Sequence, residues 1–427
     1  MKRTSILTRT AAGVLFCAIA LTSARAGSGG SAYSIFGVGD LRYSMGLRSI
    51  GMGYSGMALT GPSGINGFSP ASWSHITRVR LEASVLYEGF GSTDGDRSRF
   101  LARTDFSGAL LAIPIAPSSG ITVVGGFLPF SSVNYDAYTR GGTISGTDTL
   151  NYSLHHLGTG GITRGMIGLS YAPASDLSVG FSTDVLFGSI DTEETQIPAS
   201  TAYEGGQLTD QTTMNGVAFT LGAIYTGLGS ITPALKPFSF GAAVTSRATL
   251  SSRNQTTYRF TSSESSNERD TSAEVTRTTT IPLSFALGIG YQASERVVIA
   301  ADYSAQAWSG AVVNDRPQPS LRDSYRFGLG MERLPARTPY GSWLDHSAFR
   351  FGAYYAATYF QPNGEPINEW GITAGAGVPF SGDSRLNLAL EYAERGTTGN
   401  GLVKDQIIRF SASVSIGALW FVQYPED

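Results

Sequence analysis

The side chains that most often carry enzymatic or metal chemistry are scarce in this sequence. Its four histidines are His75, the adjacent pair His155 and His156, and His346. Adjacent residues in a loop cannot present both imidazoles on one rigid face, so none of the four has the spacing of zinc ligands. The single cysteine, Cys17, lies near the N-terminus, within the leader described below. The sequence therefore predicts no metal site, no disulfide and no cofactor.

The motifs of the common enzyme classes are also missing from the sequence. It contains no phosphate-binding Gly-Lys-Ser/Thr sequence, and no serine, histidine and acid stand out as a catalytic triad. The net charge is −3 and there is no basic block, which argues against a nucleic-acid partner. We therefore expect a protein that is not an enzyme and does not bind nucleic acid.

The first 26 residues have the features of a secretory signal peptide. A basic start precedes an apolar run at residues 11–21, and Ala24 and Ala26 form an A-x-A cleavage site before Gly27. An uncleaved membrane anchor is the alternative, but the run is too short to span a bilayer comfortably. We expect cleavage before Gly27 and export of the mature chain.

Long alternating segments follow, and the last of them, at residues 406–421, shows the pattern well. Ile408 and Phe410 share one face of this segment, whereas Arg409 and Ser411 share the other. A strand of a soluble sandwich is about five or six residues long, but about 9–11 tilted residues are needed to cross a bilayer. Its length therefore favours a membrane-spanning strand.

Fourteen segments of this kind follow one another, and an even number lets both ends of a bacterial barrel lie in the periplasm. We place them at residues 79–90, 100–115, 121–138, 163–172, 177–196, 216–228, 238–260, 275–291, 297–309, 324–333, 348–360, 369–378, 386–395 and 406–421. Short connections alternate with long polar ones, which we predict to be loops at residues 139–162, 197–215 and 261–274. The connection at residues 334–347 is the exception, because it is long for a periplasmic turn.

Charged residues in these segments fall on the face that also carries glycines. That face must point into the barrel, because a charge that faces lipid at the midplane costs about 2–4 kcal/mol. In the eleventh segment this assigns Phe351, Tyr355 and Tyr359 to the lipid and Arg350 and Tyr354 to the lumen.

Composition supports a membrane barrel over a soluble protein. The chain has 53 glycines, 20 tyrosines and 22 phenylalanines but only 15% charged residues, which is unusual for a large soluble enzyme. A soluble sandwich would bury the same apolar rows in a core, but strand length and export favour lipid. We predict an all-β, fourteen-stranded antiparallel transmembrane barrel in the bacterial outer membrane. It is expected to be a monomer that contacts lipid and is inserted by the barrel-assembly machinery.

Residues 27–75 precede the barrel and do not alternate. They are rich in glycine, which implies unusual backbone torsions, yet their apolar residues argue against disorder. Those apolar residues include Phe36, Met45, Met52, Met57 and Phe68. We predict a hatch inside the barrel, with a flexible periplasmic tail as the alternative. The predicted domains are the signal peptide (1–26), the hatch (27–75), the barrel (76–421) and a periplasmic tail (422–427).

The residues before the barrel include YSIFGVGDL at residues 33–41, GMG at 51–53 and INGFSPAS at 65–72. Together with the fourteen alternating segments, these sequences resemble the FadL-type outer-membrane transport family, whose members are fourteen-stranded barrels with an N-terminal hatch. Ser69-Pro70-Ala71 replaces the Asn-Pro-Ala that is typical there. The sequences NEWGITAGAGVP at 368–379, LALEY at 388–392 and RGTT at 395–398 resemble members from bacteria with type IX secretion.

The resemblance implies passive uptake of hydrophobic compounds, such as long-chain fatty acids or hydrocarbons, through a hatch-gated barrel that opens sideways in some members. The methionines of the hatch either line the ligand path or pack against the barrel. A carboxylate ligand would need a cation, and the candidates are Arg42, Arg48, Arg326, Arg350 and Arg409. The alternative is that these arginines pair with acids, as Arg409 does with Glu391 if their strands are neighbours. A protein-interaction barrel, such as a shuttle of type IX secretion, is the alternative function.

Overall fold

The computed structural model describes residues 27–43, 46–62, 64–145, 148–200, 203–261, 269–336 and 340–418. The predicted signal peptide with Ala24 and Ala26, the candidate Met45 and the predicted periplasmic tail lie outside these ranges. For these features the sequence-based statements stay predictions.

Fourteen antiparallel strands form one barrel, as predicted. The last strand pairs with the first from Lys404↔Thr93 to Ala418↔Val79, which closes the ring. In chain order the strands are β1 (Val79–Thr93), β2 (Ser98–Ala116), β3 (Ile121–Pro129 and Ser131–Ser145), β4 (Asp148–Ala174), β5 (Leu177–Pro198), β6 (Gly205–Tyr225), β7 (Phe238–Thr245 and Ala248–Thr261), β8 (Val275–Ile281 and Ser284–Ser294), β9 (Val297–Gln306), β10 (Ser324–Arg333), β11 (Ala348–Ala357), β12 (Asn368–Ser381), β13 (Ser384–Gly396) and β14 (Lys404–Ala418).

The outer face of the barrel is apolar. In β10, Tyr325, Phe327, Leu329 and Met331 are between 43% and 49% exposed, whereas Gly328 between them is buried. A ring of strands whose apolar rows point outward satisfies its backbone internally and offers hydrocarbon-compatible side chains to lipid. The chain is therefore a transmembrane barrel of the bacterial outer membrane.

A charge placed on this apolar face should destabilise the barrel. Leu329 lies mid-strand, opposite Ala301 and Ala353, so Leu329→Arg is expected to cost about 2–4 kcal/mol. Urea unfolding of the protein refolded in lipid vesicles measures the change. The matched control is Ser230→Arg at the exposed end of the short helix Gly227–Ser230, which should leave stability unchanged. An equal response of the two variants would contradict the assignment of the outer face.

The extracellular connections are shorter than predicted, because the strands continue into them. β3 and β4 stay paired out to Ser145↔Asp148, and β5 and β6 stay paired out to Gln196↔Gly206. The predicted loops at 139–162 and 197–215 are therefore wrong. Beyond the bilayer, water can hydrate both faces of a hairpin, so polar residues can occupy both faces. The alternation of apolar and polar residues is then lost, although the backbone hydrogen bonds between the strands continue.

The long connection between β10 and β11 folds back on the end of the barrel. The Leu334 amide donates to the Arg296 carbonyl at 2.7 Å, and the Asp345 carboxylate lies 3.3 Å from Arg333. Hydrogen bonds donated by Ser342, with help from the two arginines, lower the pKa of the Asp345 carboxyl. Ionic and backbone contacts thus hold a segment that is too long for a simple turn.

β11 departs from the predicted alternation at its end. Phe351 and Tyr355 face outward as predicted, but Tyr359 is buried, with its ring centre 4.6 Å from that of Trp308. Its assignment to the lipid face was wrong. The strand ends at Ala357, so the period-two rule no longer fixes the side-chain direction two residues later.

The described residues before β1 contact inward-facing positions around the ring. The Gly53 amide donates to Thr373 of β12 at 2.9 Å, and the amides of Gly56 and Met57 both donate to Asp302 of β9 at 2.8 Å. We call residues 27–78 the N-terminal segment. Its elements are the strands Gly27–Ser28 and Asp40–Leu41 and the helices Ala32–Ile35, Leu47–Ile50 and Pro70–His75. None of the helices in the described part of the chain has the length and apolar character needed to cross a bilayer.

Candidate ligand-binding site

A cavity of about 500 Å³ lies between the N-terminal segment and the barrel wall. We call it the main cavity. Its lining mixes apolar residues with charged residues and tyrosines. The apolar side includes Leu41, Ile50, Leu86, Phe106, Ile162 and Phe360, and the polar side includes Asp40, Arg42, Tyr43, Tyr54, Asp105, Arg326, Glu369, Arg395 and Arg409. Such a lining suits a ligand with an apolar body and a polar end.

Glu88 of β1 is the centre of the first charge network, and it is fully buried. Arg42 donates one hydrogen bond to each of its oxygens at 2.7 Å, which is the strong bidentate geometry. Arg103 of β2 and Arg409 of β14 each reach the same carboxylate at 2.8 Å. Asp105 lies 3.1 Å from Arg103 and shares its charge. These carboxylates neutralise Arg42, so it is not a free cation for a ligand.

The network continues through the acids of β12 and β13. Arg409 contacts Glu391, which confirms the predicted pair, and lies 3.3 Å from Glu369. The hydroxyl of Tyr354 on β11 lies 2.6 Å from an oxygen of each glutamate. Arg409 of β14 is therefore a structural link to β1, β12 and β13, because a buried charge requires partners of this kind.

Arg326 of β10 differs from the other candidate arginines. It alone among those in the described ranges makes no ion pair with a carboxylate, and its Nε and Nη1 atoms are buried without a hydrogen-bond partner there. Its guanidinium carbon lies 4.1 Å, 4.5 Å and 4.4 Å from the ring centres of Tyr43, Tyr54 and Tyr354. Cation–π attraction stabilises this charge while leaving the N–H groups of Nε and Nη1 available to a ligand.

A second charge network lies toward the periplasm. Glu332 of β10 is buried and accepts hydrogen bonds at 2.8 Å from both Arg48 of the N-terminal segment and Arg350 of β11. Arg48, Glu332 and Arg350 line a periplasmic vestibule of about 610 Å³. Ile50 lines the main cavity, whereas Arg48, two residues earlier, lines the vestibule. The N-terminal segment therefore separates the two spaces.

The backbone pairing of the wall is interrupted between β2 and β3. Among the described residues, β2 pairs with β3 only from Ala109↔Phe127 to Ala116↔Ile121. Beyond this point the second half of β3 pairs with Asp40–Leu41, and β2 pairs with Gly27–Ser28. Two short strands of the N-terminal segment thus take the place of the missing β2–β3 pairing.

Glycines permit this interruption of the wall. Gly108 and Gly126 have φ values of +125° and +155°, and a Cβ on either would come within 2.5 Å of a neighbouring atom. Ser107 lies in the bulge beside them, and it lines the main cavity together with Phe106 and Pro129. The main cavity therefore reaches the wall at the point where the β2–β3 ladder stops.

Solved structures of similar fold cover nearly the whole chain. A CymD monoaromatic hydrocarbon channel has a TM-score of 0.57 at 17% identity over 91% of this chain and 100% of that one. The Ralstonia pickettii toluene transporter TbuX has a TM-score of 0.55 at 16% identity over 87% and 97%. A Pseudomonas aeruginosa FadL homologue has a TM-score of 0.57 at 13% identity over 89% and 99%. The predicted FadL-type resemblance is thus confirmed for the fold, although no curated protein matches in sequence.

A family model described as BamG matches residues 7–425. The chain belongs to the BamG family. The match includes the N-terminal segment and all fourteen strands, so the site described above lies wholly within the BamG region. Within the described part of this BamG barrel, no group of three or more His, Cys, Asp or Glu side chains is placed to hold a metal ion.

The apolar residues predicted for ligand contact in this BamG barrel lie in three places. Met52 is buried against Val298 and Ala300 of the wall, which is the packing role. Met57 and Phe68 line a small cavity beside the main one. Phe36 packs against Phe360, with their ring centres 6.3 Å apart. A ligand role for these residues stays a prediction.

Several important residues of the BamG site were missed in the sequence. Glu88 could have been found, because it lies opposite Arg409 once β1 and β14 are paired to close the barrel. No sequence pattern indicated a role for Tyr43, Tyr54 or Asp302. Their roles depend on how the N-terminal segment lies against β9 and β10, and no periodicity specifies that placement.

Proposed function

We propose that this BamG-family barrel carries hydrophobic compounds through the outer membrane by passive diffusion, with residues 27–75 acting as the hatch. The observation that carries the proposal is the main cavity of about 500 Å³ that reaches the interrupted β2–β3 wall. The structures of similar fold include a monoaromatic hydrocarbon channel and a toluene transporter, which supports hydrophobic compounds as the chemical class of the cargo.

The geometry favours a sideways exit over passage to the periplasm. Toward the periplasm, the Arg48–Glu332–Arg350 cluster ties the N-terminal segment to β10 and β11 at the vestibule. At the wall, the contacts that would have to break are short ones and include the two-residue ladder of Asp40–Leu41 with β3 and the 2.8 Å hydrogen bond from the Arg42 amide to the Phe130 carbonyl. An apolar ligand gains by entering lipid directly, because it stays out of water.

A disulfide between the hatch and the wall tests this exit. Leu41 and Ser131 are directly paired, and paired residues of antiparallel strands lie at a Cα distance of about 4.5–5.5 Å, which suits a disulfide. We expect oxidised Leu41→Cys/Ser131→Cys to take up radiolabelled toluene about tenfold more slowly or worse, since opening would require breaking a covalent bond. A reductant should restore uptake.

The matched control is Leu329→Cys/Ala353→Cys, a directly paired couple on the outer face of β10 and β11. Its oxidation should leave toluene uptake unchanged. Normal uptake by the oxidised Leu41→Cys/Ser131→Cys variant would reject the lateral exit. Cys17, the one natural cysteine, precedes the predicted cleavage point and would not interfere.

A role in outer-membrane protein assembly is the second candidate function, and the BamG family description favours it. In that role the barrel would contact another protein, for which the long extracellular hairpin of β3 and β4 offers a surface. Affinity purification from membranes distinguishes the two functions. A stable complex with barrel-assembly subunits, without any toluene uptake, would favour assembly over transport.

A further inference from the structure

A second, smaller cavity of about 80 Å³ lies on the other side of Arg326. We call it the side cavity. It shares Arg326, Tyr43 and Tyr54 with the main cavity, so the two spaces meet at the tyrosine-enclosed guanidinium. The rest of its wall mixes apolar residues with polar ones. The apolar residues include Met57, Phe68, Ala243, Phe285 and Ala286, and the polar ones are Thr245, Ser284, Asp302, Ser304, Gln306 and Ser324. A small space that combines a charged group with polar side chains suits the polar end of a ligand.

Two charged groups of opposite sign have unpartnered atoms at the side cavity. Asp302 is only 7% exposed, and its Oδ2 accepts the amides of Gly56 and Met57 while its Oδ1 has no hydrogen-bond partner in the described ranges. The Nε and Nη1 atoms of Arg326 are likewise buried without a hydrogen-bond partner in the described ranges. A buried polar atom normally has a partner, so these atoms together indicate a missing ligand group.

The two charged groups do not satisfy each other. In the register of β9 and β10, Ser304 lies opposite Arg326 and Asp302 lies opposite Gly328. The pair is therefore diagonal, at a separation of about 7–8 Å between backbones, and the side chains turn to the amides and the tyrosines instead. A group located between them would meet an acceptor on one side and a donor on the other.

We propose that the side cavity binds the head group of the transported compound, and that this head group is a hydroxyl. The proposal rests on the transport function proposed above and specifies its substrate class as phenols and alcohols. The hydroxyl donates its proton to Asp302 Oδ1 and accepts a hydrogen bond from the guanidinium of Arg326. The side cavity is smaller than the cavity of about 150 Å³ that holds a benzene ring, so the apolar body extends past Arg326 into the main cavity.

Other head groups fit this pair of charges less well. A hydrocarbon offers no hydrogen bond, and it would leave Asp302 Oδ1 and the Arg326 N–H groups buried without partners. A carboxylate has no proton to donate to Asp302 Oδ1, so it would supply a partner for Arg326 alone. A hydroxyl is the simplest group that both donates and accepts.

Isothermal titration of the purified full-length barrel with three probes of similar size tests the proposal. The probes are p-cresol, toluene and benzoate. We expect p-cresol to bind about tenfold or more tightly than either of the others, because hydrogen bonds to charged groups are the stronger class. Equal binding of p-cresol and toluene would overturn the hydroxyl site while leaving transport of hydrophobic compounds intact. Failure of all three to bind would overturn both.

The variant Asp302→Asn supplies an independent readout. An amide can still accept from Gly56 and Met57, but it presents N–H donors to the side cavity in place of Oδ1. The advantage of p-cresol over toluene should then fall below about threefold and benzoate should gain, since the site has become all donor and carries a net positive charge. An unchanged preference for p-cresol in the folded variant would overturn the assignment.

The matched control is Asp184→Asn, which alters a buried carboxylate of β5 that lines neither cavity. It should keep the wild-type order of the three probes. If Asp302→Asn does not fold, the wild-type titration still decides the proposal.

Discussion

Replacing Glu332 with glutamine should open the periplasmic side of the barrel and lower its stability by about 3–5 kcal/mol, the usual cost of breaking a buried ion pair from one side. The carboxylate holds Arg48 and Arg350 at 2.8 Å each, and its loss leaves two like charges facing each other. Arg48 belongs to the N-terminal segment, so the repulsion pushes that segment from the wall. Denaturant unfolding measures the stability, and conductance in planar bilayers measures the opening.

A surface ion pair supplies the control for Glu332→Gln. Glu394 lies 3.0 Å from Lys404, but the two side chains are 22% and 38% exposed. Such pairs contribute about 0–1 kcal/mol, so Glu394→Gln should change neither stability nor conductance noticeably. A Glu332→Gln barrel as stable and as closed as the Glu394→Gln barrel would show that the ion pairs do not hold the N-terminal segment.

Gly53→Val is expected to displace the N-terminal segment from the wall without unfolding the barrel. Gly53 has a φ of +64°, and a Cβ there would lie 2.4 Å from the carbonyl oxygen of Ala353. The positive φ alone costs a β-branched residue about 1–3 kcal/mol, and the overlap with backbone cannot be relieved by a rotamer change. The variant should conduct ions between the main cavity and the vestibule, and cells carrying it should become sensitive to large antibiotics.

Gly64→Val is the matched control, because a Cβ at Gly64 meets no atom within 4 Å. It introduces the same side chain in the same segment and should behave as wild type. Heat-modifiable migration on gels reports whether each barrel remains folded. If a folded Gly53→Val barrel showed no added ion conductance and no antibiotic sensitivity, the N-terminal segment would be able to accommodate the side chain without opening a path.

The barrel was predictable because hydrocarbon imposes a simple rule on it. Tyr325, Phe327, Leu329 and Met331 had to recur at every second position of β10, and the structure exposes all four. The same rule placed Arg350 and Glu391 on the inner face. It failed for Tyr359, where the chain has left the sheet, and in the hairpin of β3 and β4, where water replaces lipid on both faces.

The interior of the barrel was less predictable, because the alternation shows whether a side chain points inward or outward but not which residue it contacts. Arg326 could be assigned to the lumen from β10 alone, yet its enclosure by Tyr43, Tyr54 and Tyr354 depends on the path of a segment without periodicity. The interruption beside Gly108 and Gly126 was unreadable for a related reason. A glycine in a strand pattern indicates a bulge or a close approach of another backbone. Only the folded wall shows that the β2–β3 ladder stops beside these glycines.

The contacts of the N-terminal segment also predict an order of events during biogenesis. Every seam of the described barrel except one joins strands that are neighbours in sequence, and the exception joins β14 to β1, the last strand to the first. Contacts of such separation form late, because the loop they close is long. We therefore expect the residues that contact Thr373, Asp302 and Glu332 to enter the curved sheet before this last seam forms. The curved sheet would then close around its own N-terminal segment and retain it in the barrel.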